Sequence, residues 1–209
     1  MPRVLEKVER RLGEKLFLKG DRCIGPKCAA ARRAFPPGPK GNKRRGGRGP
    51  SEYGELLREK QKMRYFYGLD DAQIKRYVER ASRGAGVFSA NFLRMIERRL
   101  DVIVWRLGLA PSRRSARQII GHGHITVNGR GVFAPSYAVR LGEKIALTER
   151  ARNAYRASEE EGARPRVAIL PRWLTIDAGR REGTVAGMPE PDELGHSFDV
   201  VKIKEFYSR

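Results

Sequence analysis

Residues 112–133 read SRRSARQIIGHGHITVNGRGVF, and the first half of this stretch predicts a short helix. Ser112 is a good N-cap, because its hydroxyl can accept a hydrogen bond from the first helical turn. Gly121 ends the helix in the way glycine commonly does at a helix C-terminus. Ile119 and Ile120 provide an apolar side that would anchor this helix on neighbouring elements.

The second half of the stretch predicts a β-hairpin. Residues 124–127 have the composition of a strand, Asn128-Gly129 is a strong hairpin-turn signal, and residues 131–133 would form the return strand. A further strand is expected at residues 144–147. With the helix that leads into residue 112, these elements predict two helices packed on a small, mainly antiparallel sheet.

The flanking sequence predicts a small helical domain before this module. Ser51 follows Pro50 as a helix N-cap, and Gly68 is a stop signal for the same helix. The predicted fold class is α+β, with an N-terminal basic extension, a small helical domain and the inserted helix–sheet module. The predicted limits are residues 1–50 for the basic arm, 51–97 for the helical domain, 98–160 for the module and 161–209 for a C-terminal segment returning to the helical domain.

The chain is strongly basic, and its charge is unevenly distributed. It has 209 residues with 44 Lys and Arg against 24 Asp and Glu, a formal net charge of +20. Residues 1–50 carry +11, residues 51–97 carry +2, residues 98–150 carry +7 and residues 151–209 carry zero. Repulsion among so many positive charges in a compact chain indicates a polyanionic partner. The concentration of positive charge in two segments is typical of phosphate binding.

Composition argues against other classes of protein. No apolar run approaches the roughly 18 residues that cross a membrane, and the N-terminus does not resemble a signal peptide. Hydrophobic residues make up 40% of the chain, enough to build a core. We therefore expect a cytoplasmic nucleic-acid-binding protein rather than a membrane protein or a secreted disulfide scaffold.

The predicted RNA-binding residues carry cationic or hydrogen-bonding side chains in four segments. They are Lys40, Lys43, Arg44, Arg45 and Arg48 in the arm, Arg58 and Lys62 in the first long helix, Arg113, Arg114 and Arg117 in the module helix, and His124, Asn128 and Arg130 in the hairpin. Residues 35–50, FPPGPKGNKRRGGRGP, should be extended when free and order on RNA, the alternative being a flexible linker.

The three module arginines are spaced three and four residues apart, so they can share one side of their helix. Arginine offers paired donors, and the helix N-terminus adds exposed N–H groups, so together they suit phosphate oxygens. The alternative is an ordinary solvated helix face. Tyr53 has two open interpretations as well, stacking on a base or packing in the protein.

Several motifs in collinear order resemble the family of small-subunit ribosomal protein four. The RNA-binding module of that family is similar to SRRSARQIIGHGHITVNGRGVFAPSYAVRLGEKI. The other matching motifs are LFLKGDRC, PKCAAARRAFPPG, PSEYGELLREKQKMRYFYG, RRLDVIVWRLGLA and KEFYSR. The resemblance therefore extends from about Leu16 to Arg209.

The resemblance implies a structural constituent of the small ribosomal subunit. Such a protein is a primary binder of small-subunit ribosomal RNA, nucleates assembly of the subunit body and contributes to translational accuracy. The implied partners are that RNA, neighbouring ribosomal proteins, especially protein five, and messenger RNA at its entry path. No enzymatic activity is expected.

The cysteines depart from one version of the family pattern. Cys23 and Cys28 form half of a zinc knuckle that some members carry, and the upstream cysteine pair is replaced by Glu6 and Glu9. A structural zinc site usually takes four Cys or His ligands. We therefore expect no zinc and no other cofactor, with reduced structural cysteines; a site on Cys23 and Cys28 remains the alternative.

Two alternative functions use the same RNA-binding module. Asp101 lies in an Arg-Leu-Asp context that is also found in pseudouridine synthases, which would make the chain an RNA-modifying enzyme. The chain shows no separate catalytic domain, so we expect Asp101 to cap a helix. The other alternative is a free ribosome-associated RNA binder.

Overall fold

The computed structural model describes residues 5–38, 51–153, 170–177, 179, 182–195 and 198–208. The chain divides into two compact units. Unit 1 is Met1–Ser82 with His196–Arg209, and unit 2 is Arg83–Gly195. The four predicted segments have different limits from these units and stay a prediction. Within the described ranges, no helix is long and apolar enough to cross a membrane.

Among the described elements, strands occur only in unit 2, where they follow three helices. In chain order the described helices are α1 (Leu5–Leu12), α2 (Ala29–Arg32), α3 (Glu52–Tyr67), α4 (Asp71–Arg83), α5 (Phe88–Glu97), α6 (Leu100–Arg106), α7 (Arg113–Gly121) and α8 (Val200–Ser208). The described strands are β1 (Ile125–Val127), β2 (Arg130–Gly131), β3 (Lys144–Leu147), β4 (Leu174–Asp177) and β5 (Glu182–Val185). The α+β class is confirmed.

Local sequence signals fix both ends of α3. The Ser51 hydroxyl accepts a hydrogen bond from the Gly54 N–H at 3.2 Å, which satisfies one of the first-turn donors. Gly68 adopts the left-handed conformation at φ 65° and donates its N–H to the Arg64 carbonyl. The predicted start and end of this helix are confirmed.

The C-terminal helix α8 belongs to unit 1, where it packs on α3. The ring of Phe198, just before α8, makes edge contacts with Phe66 and Tyr67, with centroid separations of 5.7 and 5.9 Å. The Asp199 N–H donates to a Glu59 carboxylate oxygen at 2.8 Å. Aromatic burial and this hydrogen bond join segments about 140 positions apart in the chain.

Unit 2 is a helix pair on an antiparallel sheet. The strand order is β2-β1-β3-β5-β4, and every neighbouring pair among the described strands is antiparallel. Its core is formed by buried aliphatic side chains from α6, α7 and the sheet, including Ile103, Ile120, Ile125, Val139 and Ile145. The predicted module of two helices on a mainly antiparallel sheet is confirmed.

The hairpin turn has the backbone its sequence predicts. Asn128 and Gly129 have φ values of 48° and 78°, the positive values that asparagine and glycine tolerate best. The Asn128 side-chain oxygen accepts the Lys144 N–H at 2.9 Å, and its own N–H donates to the Lys144 carbonyl at 2.8 Å. The turn between β1 and β2 is thus fixed to the next strand, β3.

The return strand is shorter than predicted. It was expected at residues 131–133, but β2 is Arg130–Gly131. Beyond it, the Val132 N–H still donates to the Ile125 carbonyl, and the carbonyls of Pro135 and Tyr137 accept the N–H groups of Asp101 and Leu100 at the start of α6.

Candidate nucleic-acid interface

A buried carboxylate joins α6 and α7. Asp101, in the first turn of α6, is 1% exposed. Arg99 donates to it through Nε at 3.0 Å and Nη2 at 2.9 Å, and Arg117 Nε donates to Oδ2 at 2.7 Å. Two guanidinium groups therefore compensate one charge that would otherwise be costly to bury.

A second contact lies one helical turn along the same helix pair. The Arg113 guanidinium carbon is 3.6 Å from the centroid of the Trp105 ring, which is a close cation–π contact. Arg113 and Arg117 are four residues apart, as are Trp105 and Asp101. These two arginines therefore attach α7 to α6.

Arg114 has a different position on α7. Its side chain is exposed, whereas Arg113 and Arg117 are half-buried against α6. The Ser112 hydroxyl accepts the Ser115 N–H at 3.2 Å and caps the helix as predicted. The expectation that all three arginines share one side of the helix is wrong, because Arg113 and Arg117 face Trp105 and Asp101 on α6.

Asp101 does not cap α6. The N-cap position is Arg99, and no side-chain capping hydrogen bond is present there. Asp101 lies in the first turn, where its negative charge interacts favourably with the helix dipole. Its oxygens accept hydrogen bonds from Arg99 and Arg117. The expected capping role is therefore replaced by that of a shared ion-pair partner.

The three predicted hairpin residues have different surroundings. Arg130 is exposed in β2. Asn128 is exposed, and its side-chain oxygen is used by the turn. His124 is half-buried, with its ring 6.0 Å from that of His122 and its carbonyl accepting the Thr148 N–H. Arg130 is thus the hairpin residue best placed to meet a phosphate.

The carboxylates of residues 98–150 are mostly engaged within the protein. This whole segment is described, and it contains three acidic residues. Asp101 is buried, and Glu143 accepts the Tyr137 hydroxyl and the Arg140 N–H, both at 2.8 Å. The hydrogen bond to Glu143, with some burial, raises the pKa of the Tyr137 hydroxyl. Glu149 is the exposed acid of the segment.

Cations remain on the surface of the same segment. The exposed ones are Arg114, Arg130, Arg140, Lys144 and Arg150. Lys144 also lies 3.5 Å from Glu182 at an exposed position, a pair that solvent screens strongly. The surface formed by residues 98–150 is therefore positive, and it can bind a polyanion.

Comparison with known families matches most of the chain. Residues 5–97 match the family model described as Ribosomal protein S4/S9 N-terminal domain, and residues 98–145 match the S4 domain. The chain belongs to the ribosomal protein S4 family. The resemblance inferred from the motifs is confirmed, and the two matches meet between residues 97 and 98.

Relatives of this S4-family chain are similar over nearly its full length. Small ribosomal subunit protein uS4 of Thermus thermophilus is 46% identical over 200 residues, which cover 96% of this chain and 94% of that protein. The uS4 protein of Halothermothrix orenii is 46% identical over 204 residues, with the same coverage. That of Desulfitobacterium hafniense is 44% identical over 200 residues, again with the same coverage.

In unit 1 of this S4-family protein, the two α3 cations predicted to bind RNA differ in their exposure and in their ion pairs. Arg58 is exposed. The Lys62 side chain is 13% exposed and forms ion pairs with Glu14 at 2.7 Å and Glu59 at 2.9 Å. Burial lowers the pKa of Lys62, but hydrogen bonds to Glu14 and Glu59 outweigh this effect and raise it. Lys62 therefore stabilises unit 1, and we expect Arg58 to contribute more to RNA binding.

Two further sets of predicted RNA contacts in the S4-family chain are the cations of the arm and Tyr53. The five cations of the arm lie outside the described residues. They are Lys40, Lys43, Arg44, Arg45 and Arg48. Tyr53 is 55% exposed, and its ring lies 5.7 Å from that of Phe206. The packing interpretation of Tyr53 thus has a partner, while much of the ring stays open.

Residues 6–28, which contain Glu6, Glu9 and the two cysteines, are held together by internal hydrogen bonds. Glu9 Oε1 accepts the Leu16 and Leu18 N–H groups, both at 3.1 Å, and Glu6 Oε1 accepts from Arg22 Nε at 3.1 Å. Burial is the main cause that raises the pKa of Glu9.

The two cysteines of this segment, Cys23 and Cys28, are buried and not joined in a disulfide. Burial also raises the pKa of the Cys23 thiol. Across the described ranges, no group of three or more His, Cys, Asp or Glu is arranged around a common metal position. Glu6 and Glu9, which replace the upstream cysteine pair, already accept hydrogen bonds, so these four residues lack the usual Cys or His set of a structural zinc site.

Sequence reasoning missed two surface residues of the S4 domain. Arg140 is exposed directly after buried Val139, and this alternation in an extended segment could have indicated it. The sequence predicts Phe133 in the return strand, yet it is exposed beyond the end of β2. No local signal predicts an exposed phenylalanine, because apolar character is also the signature of a buried strand.

Proposed function

We propose that this protein is a structural constituent of the small ribosomal subunit and a primary binder of its ribosomal RNA. The observation that carries this proposal is the charge arrangement of residues 98–150, with cations exposed and most carboxylates engaged internally. Membership of the S4 family supports ribosomal RNA as the polyanion, since the relatives carry the name small ribosomal subunit protein uS4.

Binding would be positional rather than catalytic. Exposed arginines and lysines replace counterions around closely packed phosphates, so the affinity falls steeply with salt. The shape of the folded RNA and its 2′-hydroxyl groups select the site more than base edges do. The protein thereby fixes RNA segments in relation to one another.

This binding would nucleate assembly of the subunit body and contribute to translational accuracy. The partners are small-subunit ribosomal RNA and neighbouring ribosomal proteins, especially protein five, with messenger RNA near its entry path. The protein works in the cytoplasm as part of the small subunit and needs no cofactor. The collinear motifs and the family matches support these finer roles.

The position of Asp101 supports a non-enzymatic role. A uridine-modifying enzyme needs a catalytic aspartate that reaches the nucleotide. Asp101 is buried, and its oxygens accept hydrogen bonds from Arg99 and Arg117. We therefore expect no uridine isomerisation on ribosomal RNA, for the wild type or for Asp101→Asn.

The proposal is tested by binding to the small-subunit ribosomal RNA of the same organism over a range of salt concentrations. Log K falls linearly with log salt, and each lost phosphate contact makes this fall less steep by about 0.7 to 0.9 units of slope. A triple alanine variant at Arg114, Arg130 and Arg140 should therefore bind more weakly and lose about 2 to 3 units of slope.

The matched control replaces the same three arginines with lysine, which keeps the charge and should keep most of the slope. Co-sedimentation of the wild type with small subunits is the second readout. An alanine variant with the wild-type affinity and slope would remove this surface from the interface. Absence of wild-type binding at low salt would contradict the proposed function itself.

A further inference from the structure

Phe133 is an exposed aromatic residue beside the hairpin of unit 2. It lies two residues beyond the end of β2 and is 66% exposed. Much of a large apolar side chain is therefore left in water, where its hydration is unfavourable. The hairpin would therefore gain from a partner that covers the ring.

The ring is held in place on one side by glycine backbone. A Cβ atom added at Gly123 would lie 2.6 Å from Phe133 Cε1 and 3.2 Å from Cζ, and one added at Gly131 would lie 3.9 Å from Cε2. Gly123 has a φ of 74°, which also favours glycine. No side chain separates the ring from Gly123, so one part of the ring lies against this turn and most of the residue faces solvent.

Two histidines and an arginine lie close to this ring along the chain. Gly123 is flanked by His122, which is exposed, and His124, and their rings meet edge-on at a centroid separation of 6.0 Å. Exposed Arg130 lies three residues before Phe133. A ligand that suits this combination offers a flat π face together with negative charge.

A nucleotide has both properties. Every nucleobase presents a π face that stacks on aromatic side chains, and its phosphate meets a nearby arginine. Bases within an RNA duplex are already stacked on their neighbours, so a protein ring has access to those that are unpaired, in loops, bulges or junctions.

We propose that Phe133, seated on Gly123, is a stacking site for an unpaired base of the RNA that this protein binds. This inference rests on the proposed function, because it assumes that the hairpin faces RNA. It adds to that function a contact that depends on an aromatic ring and not on charge.

The test compares Phe133→Leu with the wild type in binding to small-subunit ribosomal RNA over a range of salt concentrations. Leucine keeps apolar bulk but lacks a π face, so affinity should fall about 5- to 150-fold, the range for loss of one base-stacking contact. The salt slope should stay unchanged, because no counterion release is lost. The arginine-to-alanine variants differ in this respect, since they reduce the slope.

Two control variants separate stacking from general effects. Val87 is 69% exposed in the same unit but outside residues 98–150, so Val87→Ala removes exposed apolar surface without an aromatic ring and should leave binding unchanged. Phe133→Trp should bind like the wild type, and quenching of the added indole fluorescence by RNA should report contact with a base. Unfolding midpoints of all variants verify that the fold is retained.

Each outcome decides the inference. Equal affinity of Phe133→Leu and the wild type, or indole fluorescence unchanged by RNA, overturns the stacking site while leaving the proposed function intact. Normal RNA binding by Phe133→Leu together with a loss of incorporation into subunits assembled with the other ribosomal proteins assigns Phe133 to a protein contact and also overturns it. Failure of the wild type to bind RNA contradicts the proposed function, and this inference with it.

Discussion

The Asp101 carboxylate is a buried charge of unit 2 that contacts two guanidinium groups. It accepts hydrogen bonds from Arg99, two positions earlier, and from Arg117 on α7. Removing one partner of a buried ion pair leaves charge in a medium that solvates it poorly. The stability of unit 2 should therefore depend strongly on this single side chain.

We expect Asp101→Ala to lower the free energy of unfolding of unit 2 by about 3 to 5 kcal/mol. The midpoint of urea unfolding, followed by tryptophan fluorescence, measures this unit, since Trp105 and Trp173 both lie in it. The matched control is Glu193→Ala, which removes a long 3.9 Å contact to exposed Arg172 and should cost less than about 1 kcal/mol. Equal midpoints for the two variants would contradict this role of Asp101.

Glu9 should give unit 1 a distinct dependence on pH. Burial raises its pKa in the folded protein above the ordinary value of 4.5. The folded state therefore holds a proton that the unfolded state releases, and stability from this group is lost as pH rises from 4.5 through the folded pKa. Glu9→Gln should remove that loss, because a neutral amide can still accept the Leu16 and Leu18 N–H groups.

The measurement is the unfolding midpoint of the two proteins at pH values from 4.5 to 7.5. The difference between Glu9→Gln and the wild type should shift in favour of the variant as pH rises. Glu79→Gln, at an exposed position of α4, is the charge-matched control. A difference for Glu9→Gln that stays constant across this range would show that burial of Glu9 does not control the dependence.

The helix pair α6–α7 separates fold stabilisation from partner binding. Its inner side carries Arg113 and Arg117, which contact Trp105 and Asp101. Its outer side carries exposed Arg114. Neighbouring arginines on one helix therefore have separable effects.

We expect Arg114→Ala to weaken RNA binding and reduce the salt slope by about 0.7 to 0.9 units without changing the unfolding midpoint. Arg117→Ala should lower the midpoint, because it removes one of the two arginines bound to Asp101. Binding across salt concentrations and urea unfolding of both variants separate the two effects. A lower midpoint for Arg114→Ala and an unchanged one for Arg117→Ala would reverse the assignment.

Elements with local signals could be predicted from the sequence. Ser51 and Gly68 determine the ends of α3 through hydrogen bonds within one turn. Asn128-Gly129 determines a turn through its own backbone angles. These features depend on neighbours only a few positions away, so their residue types suffice to identify them.

Pairing between distant segments could not be predicted in the same way. The inward position of Arg113 and Arg117 depends on where α6 lies, and helical spacing alone does not state which partner meets which face. The pairing of β3 with β5 joins Ile145 to Gly183, and no signal in either strand selects the other. Sequence reasoning therefore found Arg114 and Arg130 among the exposed cations of the candidate site, but it missed Arg140 and the inward contacts of the other two module arginines.

The whole molecule carries more positive charge than its own carboxylates can balance. The net charge is +20, and acids of both units, such as Glu59 and Asp101, are already engaged in ion pairs. Repulsion among the remaining exposed cations destabilises the compact state, and added salt screens it over about 10 Å at 0.1 M.

We expect the thermal midpoint of the free protein to rise when sodium chloride is increased from 0.05 to 0.3 M. The stability gained when salt screens many repulsive pairs should exceed the stability lost when it weakens a few exposed ion pairs. Buried ion pairs are screened much less. Differential scanning fluorimetry measures the shift, and a variant with several exposed lysines changed to glutamine should show a smaller one. A midpoint that falls with salt would mean that attractive pairs dominate.

The contact between α3 and α8 has a consequence for the order in which the nascent chain folds. Ribosomes synthesise proteins from the N-terminus, so α3 emerges long before Phe198, Asp199 and the helix that follows them. The intervening residues can complete unit 2 first, because its helices and strands all lie in Arg83–Gly195. Unit 1 would therefore be the last part of this protein to mature during its own translation.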